Sequence, residues 1–192
     1  MSDPFDPSRV ILTGENPFIR LADERGAVTT HASFWRVIFS GGGPGHALFV
    51  KSELTGHEWR IFSDNIAMTR WLQSTVQGML NGELSDLAIP VVDADFEHHG
   101  DIRSFWTERV TTDEDDVSLT WYEAGEARLR HTYPFDAPDR PYGVSSVLIP
   151  CAGARFTFNG EHASGLPFPG EWDGVPFSSC ALAFSESWTE RR

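Results

Sequence analysis

The chain has 192 residues and a formal net charge of −13, from 28 acidic against 15 basic residues, with 40% hydrophobic and 12% aromatic content. This is the composition of a globular protein with a sizeable core, and it excludes collagen-like, low-complexity and disordered classes. The basic residues are scattered singly, so neither nucleic acid nor an anionic membrane surface is an expected partner.

The first eight residues carry Asp3 and Asp6 and no apolar run, unlike a secretory or transit segment. Two cysteines without CxxC spacing read as free thiols. Together these lead to the expectation of a cytoplasmic protein, and no stretch approaches the roughly 18 uninterrupted apolar residues of a spanning helix. No internal repeat or linker divides the chain, so residues 1–192 are expected to form one domain, with 1–16 a flexible lead.

From Phe18 onward, short runs rich in Val, Ile, Phe, Trp and Thr alternate with turn signals. Strands are expected over 17–23, 27–39, 46–53 and 57–63, then over 102–112, 117–123, 126–134, 143–150, 153–159 and 177–188. Glycines at Glu24-Arg25-Gly26, Glu123-Ala124-Gly125-Glu126 and Cys151-Ala152-Gly153 suggest hairpins. Gly41–Gly45 lacks the Gly-Lys-Ser/Thr ending of a phosphate loop and reads as a mobile turn.

One helix stands out, near 64–80. Ser63 or Asp64 can cap it, and Met68, Trp71, Leu72, Thr75, Val76, Met79 and Leu80 form one apolar stripe, with Asn81-Gly82 as the stop. The expected fold is therefore mainly β, an antiparallel barrel or sandwich capped by this helix. Strand number and pattern resemble the lipocalin-type or calycin architecture, without the Gly-x-Trp signature near the first strand. The resemblance implies a pocket for a small hydrophobic ligand.

Ionisable residues on otherwise apolar strand faces are the candidate chemistry. Strand 126–134 sets Leu129, His131 and Tyr133 on one face, and the last strand sets Cys180, Leu182, Phe184, Glu186 and Trp188 on one face. Arg36 has apolar neighbours on both sides. If these faces line one cavity, burial moves Glu186 and His131 toward neutrality, making an acid/base pair. Arg36 and Tyr133 would then hold developing negative charge, and Trp35, Trp121, Phe184 and Trp188 would line the pocket. Glu108 is a second candidate inward carboxylate, its facing undecided between the Trp106/Val110 and Phe105/Thr107/Arg109 sets.

Asp93, Asp95, Glu97, His98, His99 and Asp101 form the densest cluster of metal-ligand types, in what reads as a polar connecting segment. No His-x-His or His-x-x-x-His spacing supports a metal there. Glu161-His162 reads as a turn, and Leu166–Gly174, rich in Pro, Gly and aromatics, as a flap over a pocket mouth. Gly-x-Ser-x-Gly and dinucleotide motifs are absent.

The expected function is a cofactor-free acid/base enzyme, a hydratase, lyase or isomerase, acting on a small apolar or aromatic oxygen-bearing substrate. A non-catalytic, lipocalin-like binder is the alternative. A metal enzyme using His98, His99 and Asp101 is the second. A homodimer is the default expectation for assembly.

Overall fold

The computed structural model describes residues 9–132, 142–172 and 174–190. It is mainly β, as expected, with one large mixed sheet, one α-helical segment and two short 3-10 turns. The sheet runs in spatial order through β6 (Val91–Asp93), β5 (Trp59–Ser63), β4 (Gly45–Ser52), β3 (Val28–Ser40) and β1 (Val10–Glu15). It continues through β16 (Ala181–Glu190), β11 (Tyr142–Phe158), β9 (Asp116–Ala124), β8 (Phe105–Thr111) and β7 (Asp95–Asp101). Neighbours along this path pair antiparallel except β5 and β6, which are parallel. The two end strands are consecutive in the chain, joined by Ala94, whose amide donates to the Ser63 carbonyl.

Two apolar cores form, one on each face of β3. Alternation sends Ala32 and Phe34 to the first, with Leu48, Phe62, Leu119 and Phe156 from across the coiled sheet. It sends Trp35 and Val37 to the second, with Phe49, Ile61 and Trp188. The helical segment covers this second face.

That segment begins with α1 (Ile66–Leu72), continues through a π turn (Gln73–Gln77) and ends in α2 (Gly78–Leu80). Asn65, rather than Ser63 or Asp64, is its cap: the Asn65 side chain accepts from the Met68 amide. Met68, Leu72 and Val76 of the expected stripe are buried, and so are Thr69, Gln73 and Gln77. Leu80 is exposed.

Four local expectations are corrected. Val10–Glu15 is a strand between β3 and β16, with Leu12 fully buried, so the flexible lead does not extend to residue 16. Asp95–Asp101 is a strand, not a connecting loop: it pairs with β8, and its side chains are largely exposed. The glycine of Cys151-Ala152-Gly153 makes no turn, and β11 runs straight through it. A Cβ on Gly153 would lie 2.0 Å from the Tyr122 ring, so this glycine admits a close aromatic neighbour and not a reversal. Glu123–Glu126 joins β9 to β10 (Arg128–Thr132), and these two pair with successive halves of β11, not with each other.

The remaining strands are short. β2 (Phe18–Ala22) forms a hairpin with β3 through the Glu24-Arg25-Gly26 turn, where Gly26 takes φ +80°. Glu161-His162 is a short exposed strand, β12, against the end of β11, and β13 (Leu166–Pro167) lies on β2. β14 (Pro169–Trp172) and β15 (Val175–Ser178) make a separate hairpin. Gly41–Gly45 packs onto the helix, where a Cβ on Gly42 would meet the Met68 Cα at 2.6 Å. No helix among the described residues is long and apolar enough to cross a membrane.

Candidate functional site

The second sheet face is not fully covered by the helix. Beyond the helix C-terminus lie two adjoining hollows, a larger lobe of about 450 Å³ and a smaller one of about 150 Å³, which share Asn16, Phe18 and Leu80 in their walls. The π turn shapes the floor of the larger lobe. Gly78 donates its amide to the Gln73 carbonyl, five residues back, and this wider turn brings both Gln73 and Gln77 inward. Gln73 Nε2 then donates to the Leu84 carbonyl (3.2 Å) and Gln77 Nε2 to Ser33 Oγ (2.9 Å).

Glu186 lines the smaller lobe with Arg130, Ser146 and Trp188. It is 6% exposed, and its Oε1 accepts from Trp188 Nε1 at 2.7 Å. Burial pushes its pKa up to about 7, against the opposing pull of the Trp188 indole, the Ser146 hydroxyl and the Arg130 charge. The position depends on a bulge. Ser187 lies opposite Ser145 but Phe184 opposite Val147, and Ser185 takes φ +52°. The extra residue breaks strand alternation. Phe184 therefore packs on the first core with Cys180 and Leu182, while Trp188 joins the second core beside Glu186. The expected single face of five residues is split in two.

The larger lobe is built on β2 and β3. Phe18 lies opposite Ser33 and Arg20 opposite His31, and all four line it. The hairpin of β14 and β15 supplies another wall, through Gly170, Glu171 and Phe177. It is tied down by Arg128, which donates to the Pro176 carbonyl at 3.0 Å. The aromatic, proline-rich stretch singled out as a flap thus borders the cavity. Burial, with the charges of Arg20 and Lys51, holds the His31 pKa down to about 4, so its imidazole is neutral at pH 7. Arg20 Nε donates to His31 Nε2 at 3.4 Å.

The other expected site residues lie elsewhere. His131 is exposed: β10 turns Arg130 and Thr132, not Leu129 and His131, toward the cavity. Tyr133 lies outside the described residues. Arg36 faces the side of the sheet opposite Glu186, where its terminal nitrogens reach Glu15 Oε2 (2.5 Å) and Glu108 Oε1 (2.9 Å). Glu108 points inward with Trp106 and Val110; its Oε1 also accepts from Trp106 Nε1 at 2.8 Å, and burial raises its pKa. Trp35 and Trp121 are core residues, Trp121 donating to the Phe18 carbonyl at 2.9 Å. Phe184 meets Trp106 edge-on at 5.1 Å. Of the four expected lining residues, only Trp188 borders the cavity.

His98, His99 and Asp101 do not converge. The His98 ring lies tilted against Trp106, centres 3.9 Å apart, and His98 is 3.5 Å from Glu108; His99 is on the other strand face 3.4 Å from Glu97, and Asp101 accepts from the Arg103 amide. Among the described residues no three His, Cys, Asp or Glu side chains form a metal-binding group.

Sequence reasoning missed Arg130, Arg20, His31, Ser33 and Gln77. A signal existed for two of them: extending the alternation that contains Trp35 back along the same strand places Ser33 and His31 on its face. No protein-family model matches the chain, and no curated protein matches it.

Proposed function

We propose that the two lobes together take a small molecule with an apolar body and an oxygen function, and that Glu186 exchanges a proton with it without a cofactor. Isomerisation needs only such an exchange, and hydration and elimination need it together with the addition of solvent water or the departure of a leaving group from the adjacent carbon. The observation that carries this reading is a buried carboxyl, with its pKa raised to about 7, lining an otherwise largely apolar lobe. A group poised there gives and takes protons efficiently at neutral pH. Arg130 takes the charge-stabilising role that sequence reasoning gave to Arg36 and Tyr133, since it borders the same lobe. The coiled sheet, whose end strands meet at Ala94, supports a barrel-type ligand-binding architecture, and the two free, buried cysteines fit the reducing cytoplasm.

The test is solvent-deuterium exchange. Purified protein in D₂O is screened by NMR against small aryl and alkyl carbonyl, β-hydroxy and enoyl compounds. Carbon-bound deuterium should appear for one class, with a pH midpoint near that of Glu186. Glu186→Gln should cut the rate about 100-fold or more. Binding of the same compounds with no exchange at any pH would replace the enzyme reading with that of a binding protein.

A further inference from the structure

We infer that the larger lobe is an anion subsite, so that the molecule acted on at Glu186 is a carboxylate with a flat apolar body, held by Arg20 and Ser33. This rests on the reading that the two lobes serve one ligand; the subsite itself is argued from the larger lobe alone.

The larger lobe presents a forked cation that the fold does not neutralise. Arg36, Arg60, Arg103 and Arg109 each face a carboxylate within the chain. Arg20 instead engages His31, through Nε only, and its two terminal nitrogens have no protein acceptor among the described residues. His31 is neutral at pH 7 and rests edge-on against Trp59 at 5.4 Å, so it fixes the fork without discharging it. A guanidinium held by Nε keeps the parallel pair of N–H groups that matches a carboxylate.

Ser33 adds a second donor on the same sheet face. Its Oγ accepts from both Asn16 Nδ2 and Gln77 Nε2, each at 2.9 Å. Those bonds occupy the two lone pairs of a hydroxyl, leaving its O–H as the remaining donor. Ser33 is 8% exposed and borders the cavity, so its O–H is placed to donate to an oxygen of a ligand there. Phe18, Phe168 and Phe177 provide the apolar walls, and Glu171 stands exposed on the hairpin side.

The chemistry narrows the ligand. A cation would oppose Arg20, and a neutral body covering Arg20 would leave its fork desolvated and unpaired. The chain's net charge of −13 repels anions at long range, so affinity for one depends on this local pair of donors. One fork and one hydroxyl suit a carboxylate monoanion better than a phosphate dianion.

The experiment is calorimetric titration of the full chain at pH 7.5 with phenylacetate and with 2-phenylethanol, its uncharged counterpart. Wild type should prefer phenylacetate by about tenfold or more. Arg20→Gln should remove that preference by weakening phenylacetate, while 2-phenylethanol binds at least as tightly as to wild type because no desolvated fork opposes it, which also shows that the cavity is intact. Ser33→Ala should weaken phenylacetate by roughly three- to tenfold, the worth of one hydrogen bond to a charged group. Equal affinities in wild type, a preference that survives Arg20→Gln, or binding of neither probe would overturn the subsite. The titration reads affinity only, so it stands or falls separately from proton exchange at Glu186.

Discussion

Glu186 keeps its proton to higher pH in the folded chain than in the unfolded one, because its surroundings penalise the charged form more than Trp188, Ser146 and Arg130 favour it. Its pKa rises from 4.5 to about 7 on folding. The folded state therefore binds the extra proton between those values, and stability falls as pH rises through that window. The loss is on the order of 3 kcal/mol for a shift of this size. His31, whose pKa falls on folding, contributes a slope of the opposite sign below about pH 6.5, so the Glu186 term is read as a difference: in urea unfolding at pH 5, 6, 7 and 8, Glu186→Gln should gain stability relative to wild type as pH rises and be the more stable protein at pH 8. Glu108, also raised by burial, adds a slope of the same sign, so the comparison between the two proteins is what isolates Glu186. Parallel curves would show that Glu186 is hydrated in solution.

At the scale of single elements, two departures from regular geometry build the cavity. The bulge at Ser185 turns Glu186 away from the face that Phe184 occupies, and the π turn brings Gln77 over Ser33. Ser185 sits at φ +52°, a region that costs an L-residue with a branched Cβ about 1–2 kcal/mol. Ser185→Val should lose about that much stability, while Ser185→Gly should change it by less than about 1 kcal/mol. If both variants matched wild type in chemical denaturation, the bulge would not be under backbone strain. The helix start is a second test at this scale: Asn65→Ala removes the acceptor for the Met68 amide and should cost about 1 kcal/mol.

At the scale of the whole molecule, Arg36 is a clasp between the two halves of the coiled sheet. It joins Glu15 of β1 to Glu108 of β8, with Glu108 only 2% exposed at its side chain. Removing the cation leaves that carboxylate buried without its main partner, which typically costs about 3–5 kcal/mol. Arg36→Met should therefore be strongly destabilised at pH 7, and adding Glu108→Leu should restore most of the loss, since an apolar pair fills the same space without a stranded charge. The clasp lies on the sheet face away from the cavity. Phenylacetate affinity of folded Arg36→Met should thus match wild type, whereas placing Arg36 at the ligand would require a loss of affinity.

Composition and local periodicity were enough to determine a β-rich chain, a helix near 64–80 and an aromatic core, because those follow from apolar spacing within short windows. The same reading picked out Glu186 and the Pro/aromatic stretch near 166–174, both of which border the cavity. Tertiary structure alone decided which face of β10 turns inward. Arg128–Thr132 has a single apolar residue, so its alternation carries no information about sides, and the layers around it select Arg130 over His131. It also decided the fate of Arg36, whose partner Glu108 lies 72 residues away along the chain. A charge between apolar neighbours marks burial; which opposite charge meets it depends on how distant strands stack, and no local pattern encodes that.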